Sequence, residues 1–241
     1  MKELTPMELL DRLEWRRQLR NIMGRISHDY AVKQEAKIYD RYFSRRDDVC
    51  LGLNNGYYKG AEAVKGYYDA LDREIRLGSQ LLQKMFPEEL GSKSAEEAYG
   101  VGMISYVPVE SQVIEIADDG ESAKGLWNVR GSTCHLTSQG PIAKWIFGWA
   151  AVDFVREDGE WKILNLLLVF NIDHQCGVAF TEAEKKFPEV AELQEMKSFQ
   201  MPEPNVKKTV FETYRTDRPA TKGPRVPEPY ETFAETFHYG I

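Results

Sequence analysis

Residues 122–171 read SAKGLWNVRGSTCHLTSQGPIAKWIFGWAAVDFVREDGEWKILNLLLVFN. Three runs rich in β-branched and aromatic residues stand there: Ala123–Arg130, Ile142–Val155 and Trp161–Phe170. Such residues suit a pleated, half-buried surface, so each run predicts a β-strand. The turns between them are Ser138-Gln139-Gly140-Pro141 and Glu157-Asp158-Gly159-Glu160. Asp-Gly favours a tight hairpin because glycine enters the positive-φ region without a Cβ clash. The stretch is an antiparallel meander, and a sheet this long and aromatic needs a cover for its inner face.

The N-terminal helices are the expected cover. Thr5-Pro6-Met7-Glu8 is a helix start: Thr5 caps, Pro6 suits the first turn and Glu8 bonds back. From there to Tyr30 apolar residues (Leu9, Leu10, Leu13, Leu19, Ile22, Met23, Ile26) recur at mostly helical spacing, with arginines on the other sides as a solvated face. A second helix is expected from Lys33 to about Ser44, a short strand at Val49–Leu53, a turn at Asn54-Asn55-Gly56, and a third helix near Ala61–Leu77. Residues 78–105 read as an insertion that lids a pocket or meets a partner subunit. Ser94-Ala95-Glu96-Glu97 in it looks like another helix start, and Val107–Ala117 resumes strand character. Beyond residue 172, Thr181-Glu182-Ala183-Glu184 predicts a helix running to about Lys197. The last forty residues are rich in proline yet keep Phe211, Tyr214, Tyr230, Phe233, Phe237 and Tyr239. Disordered tails are poor in aromatics, so this one is expected to lie extended on its own domain or a neighbour's. The expected organisation is one domain over 1–172 and a C-terminal extension over 173–241.

The chain has 241 residues, a net charge of −7, 42% hydrophobic and 29% charged residues. It can bury a core without disulfides or metal. The acidic balance argues against nucleic acid or an anionic membrane as partner. Cys50, Cys134 and Cys176 are odd in number and widely spaced, which favours a reducing compartment. With no apolar signal region and no long apolar run, a cytoplasmic protein is expected.

The order is helix, helix, strand, helix, insertion, then antiparallel strands, which defines an α+β fold. Three motifs add to this order. They are Gly56-Tyr57-Tyr58-Lys59-Gly60 before the third helix, Ile114-Glu115-Ile116-Ala117-Asp118-Asp119-Gly120 before the meander, and the Asp153–Ile163 hairpin. Together they resemble the SnoaL-like proteins of the nuclear transport factor 2-like superfamily, over about Leu9 to Asn171. The resemblance implies a cone-shaped curved sheet wrapped around the N-terminal helices, with a pocket inside. It implies no single activity, since the superfamily holds dehydratases, isomerases, cyclases, hydrolases and non-catalytic modules.

No phosphate-binding, nucleophile or metal motif is present, so neither a metal nor another cofactor is expected. General acid–base chemistry is the fitting class, because it needs only a titratable group in an apolar pocket. Four residues are the candidate catalytic groups. Asp29 and Tyr30 lie where SnoaL-like dehydratases place a tyrosine and an aspartate. His135 shares a strand face with Trp127, Val129 and Thr133. Asp153 shares one with Phe147, Trp149 and Ala151. Each has a structural alternative: Tyr30 in the core with His28 and Asp29 capping the helix end, His135 on the surface, and Asp153 where the strand meets water. Dehydrating relatives carry a histidine on the strand after the insertion, and Tyr106–Ser111 here has none. His28, Tyr57, Tyr58, Tyr106, Trp127 and Trp149 are candidate substrate contacts, or core. The expected function is a cofactor-independent lyase (dehydratase) or isomerase acting on a hydrophobic cyclic or aromatic carbonyl compound, in a homodimer or homotrimer. The alternative is a non-catalytic ligand-binding or assembly protein.

Overall fold

The computed structural model describes residues 4–207, 210–219 and 221–241. Its first helix, α1, spans Pro6–Ala31. The Thr5 capping box closes it as the sequence predicts: Glu8 N donates to Thr5 Oγ1 and Thr5 N donates to the Glu8 carboxylate, satisfying donors that the first turn leaves open. Leu19, Met23 and Ile26 enter the core, whereas Leu9, Leu10 and Leu13 stay exposed.

The expected second helix is shorter than its periodicity suggests. A single 3₁₀ turn at Glu35–Lys37 leads into α2, Ile38–Tyr42. Strands β1 (Cys50–Leu53) and β2 (Gly56–Lys59) form a hairpin, and α3 runs from Ala61 to Met85. It continues two turns past the expected end because Leu81 and Leu82 keep an apolar face buried. A short α4 (Pro87–Leu90) follows. Ser94 and Glu97 do make the reciprocal bonds of a capping box, yet only turns follow them. That capping geometry did not nucleate a helix: Gly100 and Gly102 follow with φ of 74° and 76°, outside the helical region.

The meander holds β3 (Ile104–Tyr106), β4 (Val109–Ile116), β5 (Ser122–Thr137), β6 (Gly140–Glu157) and β7 (Glu160–Gln175). β5 and β6 pair without interruption from Ser122↔Val155 to Thr137↔Gly140. Asp158 and Gly159 both take positive φ, 50° and 82°, which matches the right-handed twist of the strands they join. The sheet order is β2-β1-β7-β6-β5-β3, with β4 also on β5, and β1 runs parallel to β7. The result is a curved, unclosed sheet over α1, α2 and α3. Trp127, Val129, Val152 and Phe154 fill its concave side with Tyr58, Tyr68 and Leu19.

The helix expected from Thr181 is absent. Only a 3₁₀ turn (Ala191–Leu193) and α5 (Gln194–Ser198) form. Residues 181–182 close a turn and 183–190 form no helix: Lys185 N donates to Gln175 Oε1 and Val190 N to the Ser138 carbonyl. Farther on, the chain pairs Val206 with Tyr57, so β2 is not a bare edge. It then crosses the convex face, where Phe211, Phe237 and Tyr239 pack on Cys50, Leu126 and Leu167.

Candidate active site

Where the helices do not fill the wide end of the cone, a cavity of about 450 Å³ remains. That size suits a small organic ligand. Its walls are mainly apolar, with Leu71 and Ile75 from α3, Leu136 from β5, Ile146 from β6, Leu168 and Phe170 from β7, and Met196 of α5 at the rim. Against this background a few polar groups converge: Tyr30 from the end of α1, Lys33 and Glu35 from the turn after it, Tyr67 and Glu74 from α3, Ser105 from β3 and His135 from β5.

His135 arrives because β5 is unbroken. Trp127 and Val129 face the core, and period-two alternation carries the same face to Thr133 and His135 at the cavity. His135 lines the cavity and keeps more than a third of its surface free. The surrounding packing, with the nearby Lys33 ammonium, pushes its pKa below the ordinary 6.5. Burial and the adjacent Tyr68 hydroxyl push Tyr30 well above the usual phenol range, so it stays a protonated donor. Burial likewise raises Tyr67.

Lys33 and Glu35 are the groups that the sequence reading did not single out. They sit between two helices and look like solvated charges. Lys33 instead takes a left-handed backbone, φ 58°, which turns its side chain inward. Its Nζ donates to Ser105 Oγ at 2.6 Å and stands 3.5 Å from Glu35 Oε1. Glu35 is 3% exposed, and its Oε2 is buried with no partner. Burial pushes the Glu35 carboxyl up, against the pull of Lys33, and Glu74 is raised the same way. Burial also pulls Lys33 below its ordinary value, against Glu35. At the cavity's edge Lys144 lies 3.2 Å from Asp173 and 3.3 Å from Glu184.

The structure thus brings Tyr30 and His135 to one cavity and takes Asp29 and Asp153 elsewhere. Asp29 is buried beside α2, where Arg41 Nη1 donates to its Oδ1 at 2.7 Å and Tyr42 donates to Oδ2 at 2.9 Å. Asp153 is on the convex face, 2.6 Å from the buried Lys124 ammonium. None of the six expected substrate contacts lines the cavity. His28 and Tyr106 are exposed. Tyr57 and Trp149 pack on the convex side under the tail. Tyr58 and Trp127 are in the main core, Tyr58 with its ring 5.0 Å from that of Tyr67.

The resemblance carried by the sequence motifs implied this succession of helices, hairpin, long helix and meander, and this curvature. The chain folds as an α+β cone, a curved and unclosed sheet over N-terminal helices. No family model matches the chain, and no curated protein matches it. Among solved structures, it is similar to hexachlorocyclohexane dehydrochlorinase LinA-type3 from Novosphingobium barchaimii, with 17% identity and a TM-score of 0.47 over 72% of this chain and 99% of that one. It is also similar to a single-substitution variant of Rv3472 from Mycobacterium tuberculosis, described as of unknown function, with 13% identity and a TM-score of 0.47 over 82% and 92%. A third is Kfla4162 of Kribbella flavida, with 14% identity and a TM-score of 0.46 over 66% and 92%.

Proposed function

We propose that the chain is a cofactor-independent lyase or isomerase that removes a proton next to the carbonyl of a hydrophobic cyclic or aromatic compound. The observation that carries this is the shared cavity: the His135 imidazole and the Tyr30 phenol line the same mainly apolar space of about 450 Å³. His135 is the base. Its lowered pKa favours the unprotonated form at neutral pH, the form a base needs. Tyr30 donates to the carbonyl oxygen and stabilises the enolate that develops as the proton leaves. Departure of a β-hydroxyl or another leaving group gives elimination, and return of the proton at another carbon gives isomerisation.

Proton exchange tests this before the substrate is known. A panel of cyclic and aryl ketones is incubated with the protein in D2O, and loss of the α-proton signal is followed by NMR. Catalysed exchange is expected for at least one ketone, and His135→Gln lowers its rate on the order of 10²-fold or more. Ketones that bind with no exchange above buffer would make the cavity a binding site, the non-catalytic reading. The exposed Leu9, Leu10 and Leu13 support self-association as a homodimer or homotrimer, which sedimentation measures.

A further inference from the structure

The proton-transfer reading leaves Lys33 and Glu35 without a task, although both face the cavity. The geometry points to Lys33 as an amine nucleophile that condenses with an aldehyde or ketone bound in the cavity, with Glu35 as its proton shuttle. This rests on the proposed carbonyl specificity of that cavity.

Four separate features hold the amine in place. The left-handed turn at Lys33 aims the side chain inward from the end of α1. Gly100, at φ 74°, leaves room for the stem: a Cβ there would stand 2.7 Å from Lys33 Cγ. Ser105 Oγ accepts a hydrogen bond from Nζ at 2.6 Å. Glu35 places one carboxylate oxygen 3.5 Å from Nζ and keeps the other buried and unpartnered, free for a second proton contact. A lysine whose role is only to neutralise Glu35 needs no such track. Lys144 lines the same cavity and makes the contrast. Despite burial, Asp173 and Glu184 hold it above its ordinary value, as an ammonium. At Lys33 the desolvation outweighs the pull of Glu35 and of the more distant Glu74, so its shift runs the other way, toward the neutral amine that attacks carbonyls.

The chemistry balances with what the cavity holds. The Lys33 amine forms a C–N bond to the carbonyl carbon as the C=O π bond breaks, and the proton shed by the attacking nitrogen passes to the oxygen. The carbinolamine loses its hydroxyl as water, with the proton from the Glu35 carboxyl, and becomes an iminium. Its positive nitrogen draws electrons from the neighbouring C–H bond, where His135 removes the proton to give an enamine. Protonation at carbon and addition of water reverse the sequence and free the lysine.

Reductive trapping tests the inference on the full chain, with no need for turnover. The protein is incubated with benzaldehyde or cyclohexanone and sodium cyanoborohydride, then digested and mapped by mass spectrometry. The expected result is a reduced adduct on the Lys33 peptide at about tenfold or more the level on Lys144 and the surface lysines, since the neutral amine is the nucleophile. Lys33→Arg abolishes that adduct and leaves the circular dichroism spectrum unchanged. Labelling spread over surface lysines with Lys33 unmodified overturns the inference. If α-proton exchange still depends on His135 in that case, the carbonyl reading of the cavity stands without the amine. If exchange is absent as well, both fall.

Discussion

Glu74 shows how burial of one side chain couples the cavity to pH. Burial, opposed by Lys33, holds its carboxyl above the ordinary 4.5. The folded chain therefore binds this proton more tightly than the unfolded chain. The associated stability is complete below about pH 4.5 and is lost as pH rises through the folded pKa. Glu74→Gln stays neutral and avoids that loss. Its urea midpoint should exceed that of the unmodified protein at pH 7, and the gap should close at pH 4. An equal gap at both pH values would mean that the carboxyl is solvated. His135 has the opposite sign. Burial and Lys33 lower it, Lys144 adds to this, and Asp173 pulls against them. Exchange catalysed by a neutral imidazole should thus fall to half its rate only below pH 6.5. A rate that already halves near pH 7 would assign the base elsewhere. That Tyr30 and His135 face the cavity was foreseeable in the sequence, because an aromatic at a helix end and a strand-face histidine follow simple periodicities. Lys33, Glu35 and Glu74 were not. Charged residues next to a helix end normally face water, and no local pattern announces a left-handed lysine.

At the scale of elements, a short-range rule was enough where an apolar face also followed it. The Thr5 box starts α1, and Asp158-Gly159 closes the β6–β7 hairpin. Prediction erred where a distant contact decided: α3 outran its expected end, and residues 181–190 followed the Ser138 and Gln175 bonds of the sheet rather than their own helix propensity. β3 is another element fixed from afar. It docks on β5 opposite Gly131, where a Cβ would stand 1.9 Å from the Tyr106 carbonyl oxygen, so the backbone itself is the obstacle. Gly131→Ala must push β3 off its partner. A loss of roughly 1–3 kcal/mol in urea unfolding is expected, as for other overpacked sites. Because β3 carries Ser105, ligand binding in the cavity should weaken too. Unchanged stability would show that β3 contributes no fixed contact there.

For the whole molecule, the tail explains why strand alternation misplaced Asp153. One face of a sheet normally meets water, and polar residues then mark it. Here both faces are covered, so alternation cannot tell concave from convex. The six tail aromatics were the available sign, although not of which surface they would cover. Lys124 and Asp153 are each 0% exposed. Asn165 Nδ2 and Tyr239 N donate to Asp153 Oδ2 at 2.8 and 2.7 Å, so the carboxylate ties the last residues of the chain to the sheet. Rings of Phe233, Phe237 and Tyr239 stand 4.7–5.4 Å from the Lys124 ammonium, where their faces favour a cation. Asp153→Ala leaves that ammonium buried without its counter-charge, which costs about 3–5 kcal/mol. The tail should then release: limited proteolysis would cut beyond residue 200 much faster, and the urea midpoint would fall. Lys124→Met combined with Asp153→Leu removes both charges and should recover most of the loss, since an apolar pair of similar volume often replaces a buried ion pair without cost. α-Proton exchange should persist in the double variant, because the pair lies on the face away from His135. If exchange disappears while the fold survives, Asp153 acts on the reaction through the sheet, and the separation of latch from cavity is wrong.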